Sequence, residues 1–171
     1  MKFSDWLVEN NENGVIYEDD AVLIRDARPG EIPSHFVHRS DDQSAIDDIA
    51  QNGYNLNRFN QTARKYNIPQ DMIQYAPRGA YSLSVDDPMV VSQKNDPRPF
   101  IVFKAAIDKA LILILKDKWA DPKEPLSKIN GGKTGAQLRN ALLKQGYQAV
   151  LIPGSEQIIL DTKLMKPVRT S

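Results

Sequence analysis

The sequence predicts a mixed α+β domain, and three observations carry that reading. Short apolar or β-branched runs recur along most of the chain, two amphipathic stretches between them carry helix start and stop signals, and the two kinds of segment do not alternate regularly. A doubly wound parallel sheet would need such alternation. The length of 171 residues, with 41% hydrophobic and 26% charged residues, fits one globular domain spanning 1–171.

In chain order, Phe3 to Val8 predicts a short amphipathic helix, because Phe3, Trp6 and Leu7 fall on one face. It opens an N-terminal arm assigned to residues 1–30, ahead of a core assigned to 35–165. Strands are expected at 15–17, 21–25, 36–39, 80–84, 100–104, 111–115, 149–152 and 157–160. A helix is expected to begin at Ser40, where Gln43 completes capping-box spacing, to carry Ala45, Ile46 and Ile49 inward, and to stop at Gly53. Another runs from Thr134 to Gly146: Thr134 and Gln137 repeat the box, Leu138, Ala141 and Leu142 form the apolar stripe, and Gly146 suits a left-handed C-terminal cap. A weaker helical pattern covers 57–66. The polar, Pro-containing stretches 26–34 and 116–131 read as connecting loops.

Composition excludes several function classes. The 22 basic residues balance the 22 acidic ones, so no general field draws the chain to nucleic acid or to an anionic membrane. The absence of Cys excludes disulfides, thiolate metal sites and a thiol nucleophile, and it fits a reducing compartment. Acidic residues interrupt the N-terminus where a secretory signal would be apolar, and the longest apolar run, 110–115, is too short to span a bilayer. A soluble cytoplasmic protein is therefore expected.

Familiar motifs fail on inspection. Gly132-Lys133-Thr134 looks like the end of a phosphate-binding loop, but Ser127 stands where that loop needs Gly, so the segment is expected to be the turn and cap of the following helix. His35 and His38 would face opposite sides of a strand, and with no further His and no Cys no metal site is expected. There is no Gly-x-Ser-x-Gly nucleophile elbow.

Three short pieces remain, each at the edge of an expected strand: His38-Arg39-Ser40, Gly79-Ala80-Tyr81-Ser82, and Gly154-Ser155-Glu156 running into Gln157-Ile158-Ile159-Leu160. His38 ends a strand and Ser40 starts a helix, so both side chains and the helix-start amides are available to a ligand. Gly79 lets the backbone pass close to a neighbour, and Tyr81 offers a flat aromatic face with a polar tip. Glu156 follows a Pro-Gly turn directly before a core strand, a place from which a carboxylate projects into a cleft.

Their order resembles the ADP-ribosyltransferase superfamily, in the His-Tyr-Glu branch typified by diphtheria toxin and the poly(ADP-ribose) polymerases. His38-Arg39-Ser40, a helix and then Asn52-Gly53-Tyr54 are similar to that branch's His-Gly-Ser followed by a helix and a Gly-aromatic close. Gly79-Ala80-Tyr81 resembles its Gly-x-Tyr strand, and Gly146 to Asp161 resembles the strand pair that carries its catalytic Glu. The opening Phe3-x-x-Trp6-Leu7 and the late Leu164-Met165-Lys166 resemble small phage-type ADP-ribosyltransferase domains.

The resemblance implies split mixed and antiparallel β-sheets with flanking helices, and an enzyme that moves a single ADP-ribose unit from NAD+ to a macromolecular acceptor with release of nicotinamide. It implies no metal, and an acceptor that is protein rather than nucleic acid. By the same resemblance Glu156 stabilises charge on the ribose, Tyr81 stacks on nicotinamide, and His38 and Ser40 hold ribose hydroxyls. The backbone of Arg39 pairs with the carboxamide, and Gly79 and Ser82 complete the NAD-binding set. This chain departs from the pattern at Arg39, where Gly is usual and whose side chain is expected beside the pocket, at Ser92, where many members have a second Tyr, and at Gly154, where the arginine-modifying branch has an acid. The alternative expectation is a non-catalytic NAD- or partner-binding domain of the same fold.

Overall fold

The structure, a computed structural model, describes residues 14–56, 67, 75–85 and 95–170. The expected helices at 3–8 and 57–66, and Ser92, lie outside the described residues. Within them the chain forms strands β1 (Val15–Glu18), β2 (Val22–Asp26), β3 (His35–Arg39), β4 (Ala80–Ser84), β5 (Phe100–Lys104), β6 (Ala110–Leu115), β7 (Ala149–Ile152), β8 (Glu156–Ile159) and β9 (Lys166–Thr170). Helices α1 (Gln43–Asn52), α2 (Lys123–Lys128) and α3 (Gly135–Lys144) complete the mixed α+β fold. No helix among the described residues is long and apolar enough to cross a membrane.

The strands follow one another across the sheet as β1-β2-β6-β7-β8-β4-β3-β5-β9. The β6–β7 pair is parallel and the other described pairs are antiparallel. Central β6 is apolar throughout because both of its faces are covered. Leu111 and Leu113 turn toward α2 and α3, where Leu126, Leu138 and Leu142 pack with Val22, Ile24, Val150, Ile152 and Ile158. Ala110 and Ile112 turn the other way, onto Ala149, Leu151 and Ile32. A further core lies where α1 places Ile46 and Ile49 against Phe36, Ile101, Phe103, Ala80 and Ile159. Successive β8 residues, Ile158 and Ile159, thus belong to different cores, and that anchorage fixes the strand that begins with Glu156.

Several expectations need correction. The segment assigned to an arm supplies β1 and β2, with Val22 and Ile24 in the main core, and β9 extends the sheet past the assigned end of the core at 165. α1 starts later than expected: the Ser40 amide still bonds the Pro99 carbonyl, so the backbone remains tied to the sheet there. Asp42 is the cap instead, accepting from the Ser44 amide at 2.9 Å. Gln43 bonds Asp47 instead of closing a box. Thr134 does stand at the N-cap of α3, but its side chain makes no capping bond.

The C-terminal end of α3 follows the expectation. Gly146 has φ +90°, its amide bonds the Leu143 carbonyl, and the Tyr147 amide reaches back to Leu142. That pairing is a Schellman cap. Residues 116–131 are not all loop, because 123–128 form α2; Pro125 falls in its first turn, where no intrahelical donor is lost, and Leu126 is fully buried.

Candidate functional site

β4 lies between β8 and β3 and pairs with each along a different half of its length. Its first residues pair with β8: Ala80 with Ile159, Tyr81 with Ile158, Ser82 with Gln157. Its last residues pair with β3: Leu83 with Val37, Ser84 with Phe36. Carried one step further, the antiparallel registers would put His38 opposite Ser82 and Glu156 opposite Leu83. Both residues instead stand where their strands leave β4. His38 and Glu156 therefore lie on opposite sides of β4, each just past the last residue its strand pairs with β4, with Tyr81 on β4 between them.

His38 reaches back to β4 from the end of β3. Its Nδ1 lies 2.8 Å from the carbonyl oxygen of Tyr81. A carbonyl only accepts, so Nδ1 carries the proton and Nε2 of the neutral ring keeps its lone pair for a donor. Burial pushes the imidazole below its ordinary value of 6.5, outweighing the opposing effect of that hydrogen bond, so the ring is neutral near pH 7. Tyr54, just past α1, meets the imidazole edge to face with centroids 5.5 Å apart.

Tyr81 donates its hydroxyl to the Pro77 carbonyl at 2.7 Å, which fixes the plane of its ring. Burial first, then the negative charge of Glu156, raises its phenol well above the usual value of 10, so it stays a neutral donor. Glu156 opens β8 after a turn in which Gly154 takes φ +74° and the Ser155 amide bonds the Ile152 carbonyl. Its Oε1 is 2.5 Å from Lys123 Nζ on α2. The same ammonium lies 5.4 Å from the centroid of the Tyr81 ring.

Strand pleating separates these groups into two sets. Tyr81 and Glu156 share a face with Ile158, toward α2, whereas His38 shares its face with Phe36 and Ile101, toward α1. His38 is tied to Tyr81 through backbone and Glu156 through Lys123. One ligand served by all three would have to reach both sides of β4.

The other expected site residues are placed as follows. The Arg39 side chain, expected beside the pocket, instead turns from the His38 face: it donates to the Arg98 carbonyl at 3.1 Å, lies 4.0 Å from the Asp96 carboxylate and sits 5.3 Å over the Phe100 ring. Strand alternation explains the correction, since neighbours on β3 point to opposite sides. The Ser40 hydroxyl accepts from the Asp42 amide at 3.2 Å. At Gly79 the close neighbour is β8 of the same chain, because a Cβ would stand 2.7 Å from Ile158 Cγ2 and 2.8 Å from the Ile159 carbonyl oxygen. Ser82 is buried, and its hydroxyl makes a long 3.4 Å bond to the Gln157 carbonyl.

Sequence reasoning missed Lys123 as a site residue, and it gave Tyr54 no role beyond closing a motif. No periodic pattern marks Lys123. The available local signal is Asp121, whose carboxylate accepts from the Lys123 amide at 3.0 Å and starts the helical turn, with apolar Leu126 three residues on. An aromatic face beside a carboxylate attracts a cation, and a neutral imidazole with a free-facing acceptor nitrogen suits a hydroxyl or amide donor. No protein-family model, curated protein or solved structure matches the chain.

Proposed function

We propose that this chain is an NAD-dependent mono-ADP-ribosyltransferase with an ADP-ribosyltransferase-like split sheet, acting in the cytoplasm on a protein acceptor. The observation that supports the proposal is that His38, Tyr81 and Glu156 stand on the neighbouring strands β3, β4 and β8, with His38 Nδ1 2.8 Å from the Tyr81 carbonyl oxygen.

In this chemistry the bond between ribose and nicotinamide breaks with its electron pair leaving on nicotinamide, and positive charge develops on the ribose ring. The acceptor supplies the new bond to that carbon and loses a proton, so NAD+ and acceptor give ADP-ribosyl acceptor, nicotinamide and H+. Glu156 stabilises the ring charge from a fixed strand start. Tyr81, its ring orientation held by the hydroxyl's bond to the Pro77 carbonyl, stacks on the departing ring. His38 offers Nε2 to a ribose hydroxyl while its Nδ1 is engaged by the Tyr81 carbonyl.

The test is transfer itself. Incubation with labelled NAD+ and cell lysate should label protein, with the label surviving nuclease treatment, and His38→Ala and Tyr81→Ala should each reduce it strongly. The Lys123–Glu156 ion pair favours a second reading, a non-catalytic NAD- or partner-binding domain. Saturable NAD+ binding with no nicotinamide released would select that one.

A further inference from the structure

The two features that make the α2 side of β4 and β8 attractive to a cation are already satisfied from within. The Tyr81 ring presents a negative face and Glu156 a carboxylate, and Lys123 Nζ meets both, 5.4 Å from the ring centroid and 2.5 Å from Oε1. All three groups are partly accessible to solvent, Lys123 and Glu156 at 21% and 27% of their side-chain surfaces, so an outside cation can compete for the position. The ammonium is carried on a long flexible stem from the first residue of α2, whose attachment to the core is made by Leu126 and not by Lys123. Its withdrawal therefore leaves the core contact of the helix in place.

We infer that Lys123 is the residue that decides which ligands this pocket accepts: it is a resident cation, seated between Tyr81 and Glu156, that a positively charged ring must displace. The inference rests on the transferase reading for the choice of a pyridinium ring, but its chemistry is that of any flat cation. A neutral ring gains nothing from displacing Lys123, because Glu156 would lose its counter-charge with no replacement. A cationic ring restores that charge balance. While it is seated, Lys123 also holds back nonproductive occupation of the carboxylate, and its departure returns the carboxylate to the ligand.

The experiment compares the full chain with Lys123→Met, which keeps the stem and removes the charge, and with Lys123→Arg, which keeps the charge. Binding of 1-methylnicotinamide, a permanently cationic pyridinium methylated on the ring nitrogen, is measured beside neutral nicotinamide by titration calorimetry, with melting temperatures recorded to establish folding. Lys123→Met should bind the cationic ring about tenfold more tightly than the parent, equivalent to ~1.4 kcal/mol. Neutral nicotinamide should change little, and Lys123→Arg should behave like the parent. Unchanged, weaker or undetectable binding of the cation by folded Lys123→Met overturns the inference. Nicotinamide release from NAD+, followed in parallel, separates the two claims. Tighter cation binding without NAD+ turnover in any form would keep the displacement role and reject the transferase, whereas turnover with unchanged cation binding would do the reverse.

Discussion

Gly79 illustrates how a single residue sets the spacing of two strands. Its absent side chain lets β4 approach β8 so closely that a methyl group would meet both a fully buried Ile158 side chain and the Ile159 backbone. The backbone contact cannot relax without moving β8 and, with it, Glu156. Gly79→Ala is expected to cost about 1–3 kcal/mol, read as a lower urea midpoint; an unchanged midpoint would mean that the strands are not so closely set. At His38 the imidazole is expected to titrate below 6.5 in an NMR pH series, with nitrogen shifts that report a protonated Nδ1. The sign follows from burial. The unfolded chain binds the His38 proton more tightly than the folded one, so this group's contribution is intact above pH 6.5 and erodes as pH falls toward the lowered folded value.

At the scale of elements, α3 ends on a residue that must be Gly. With φ +90° at Gly146, Ala there would be strained, and Gly146→Ala should destabilise the protein by about 1 kcal/mol, a small but measurable drop in melting temperature. Leu126→Ala should cost more, about 2–4 kcal/mol, because that side chain is fully buried and is the link between α2 and the main core. Most strands were legible because each is a short apolar run whose alternation or full burial matches its place in the sheet. β9 was not, since Lys166-Pro167-Val168-Arg169-Thr170 has no apolar run and an edge strand needs little burial. The start of α1 was misjudged because Ser40 remains bonded to the Pro99 carbonyl, a contact made by residues distant in sequence. The same limit applies to the site. His38, Tyr81 and Glu156 each stand out locally, but the registers that set them on neighbouring strands join β3, β4 and β8 across long stretches of chain, and Lys123 arrives from a segment whose composition reads as loop.

At the scale of the molecule, two half-sheets share β4, and each is backed by its own core. On the side of β2, Arg25 holds Glu31 of the following turn through two 2.7 Å hydrogen bonds. Those bonds to Arg25, reinforced by the Arg28 amide, lower the Glu31 carboxyl from 4.5 to about 2. The stabilisation is therefore present above pH 4.5 and is lost as pH falls toward 2. Urea midpoints should decline across that interval, and Glu31→Gln should flatten the decline attributable to this pair while lowering stability at neutral pH. NAD+ cleavage by a site built on His38, Tyr81 and Glu156 is tested most directly by nicotinamide release. The folded parent protein should release nicotinamide, and Glu156→Gln, which keeps the shape and removes the charge, should slow release about a hundredfold, corresponding to ~3 kcal/mol of lost transition-state stabilisation. Release at the parent rate by Glu156→Gln, or none from the parent with lysate present, would contradict it.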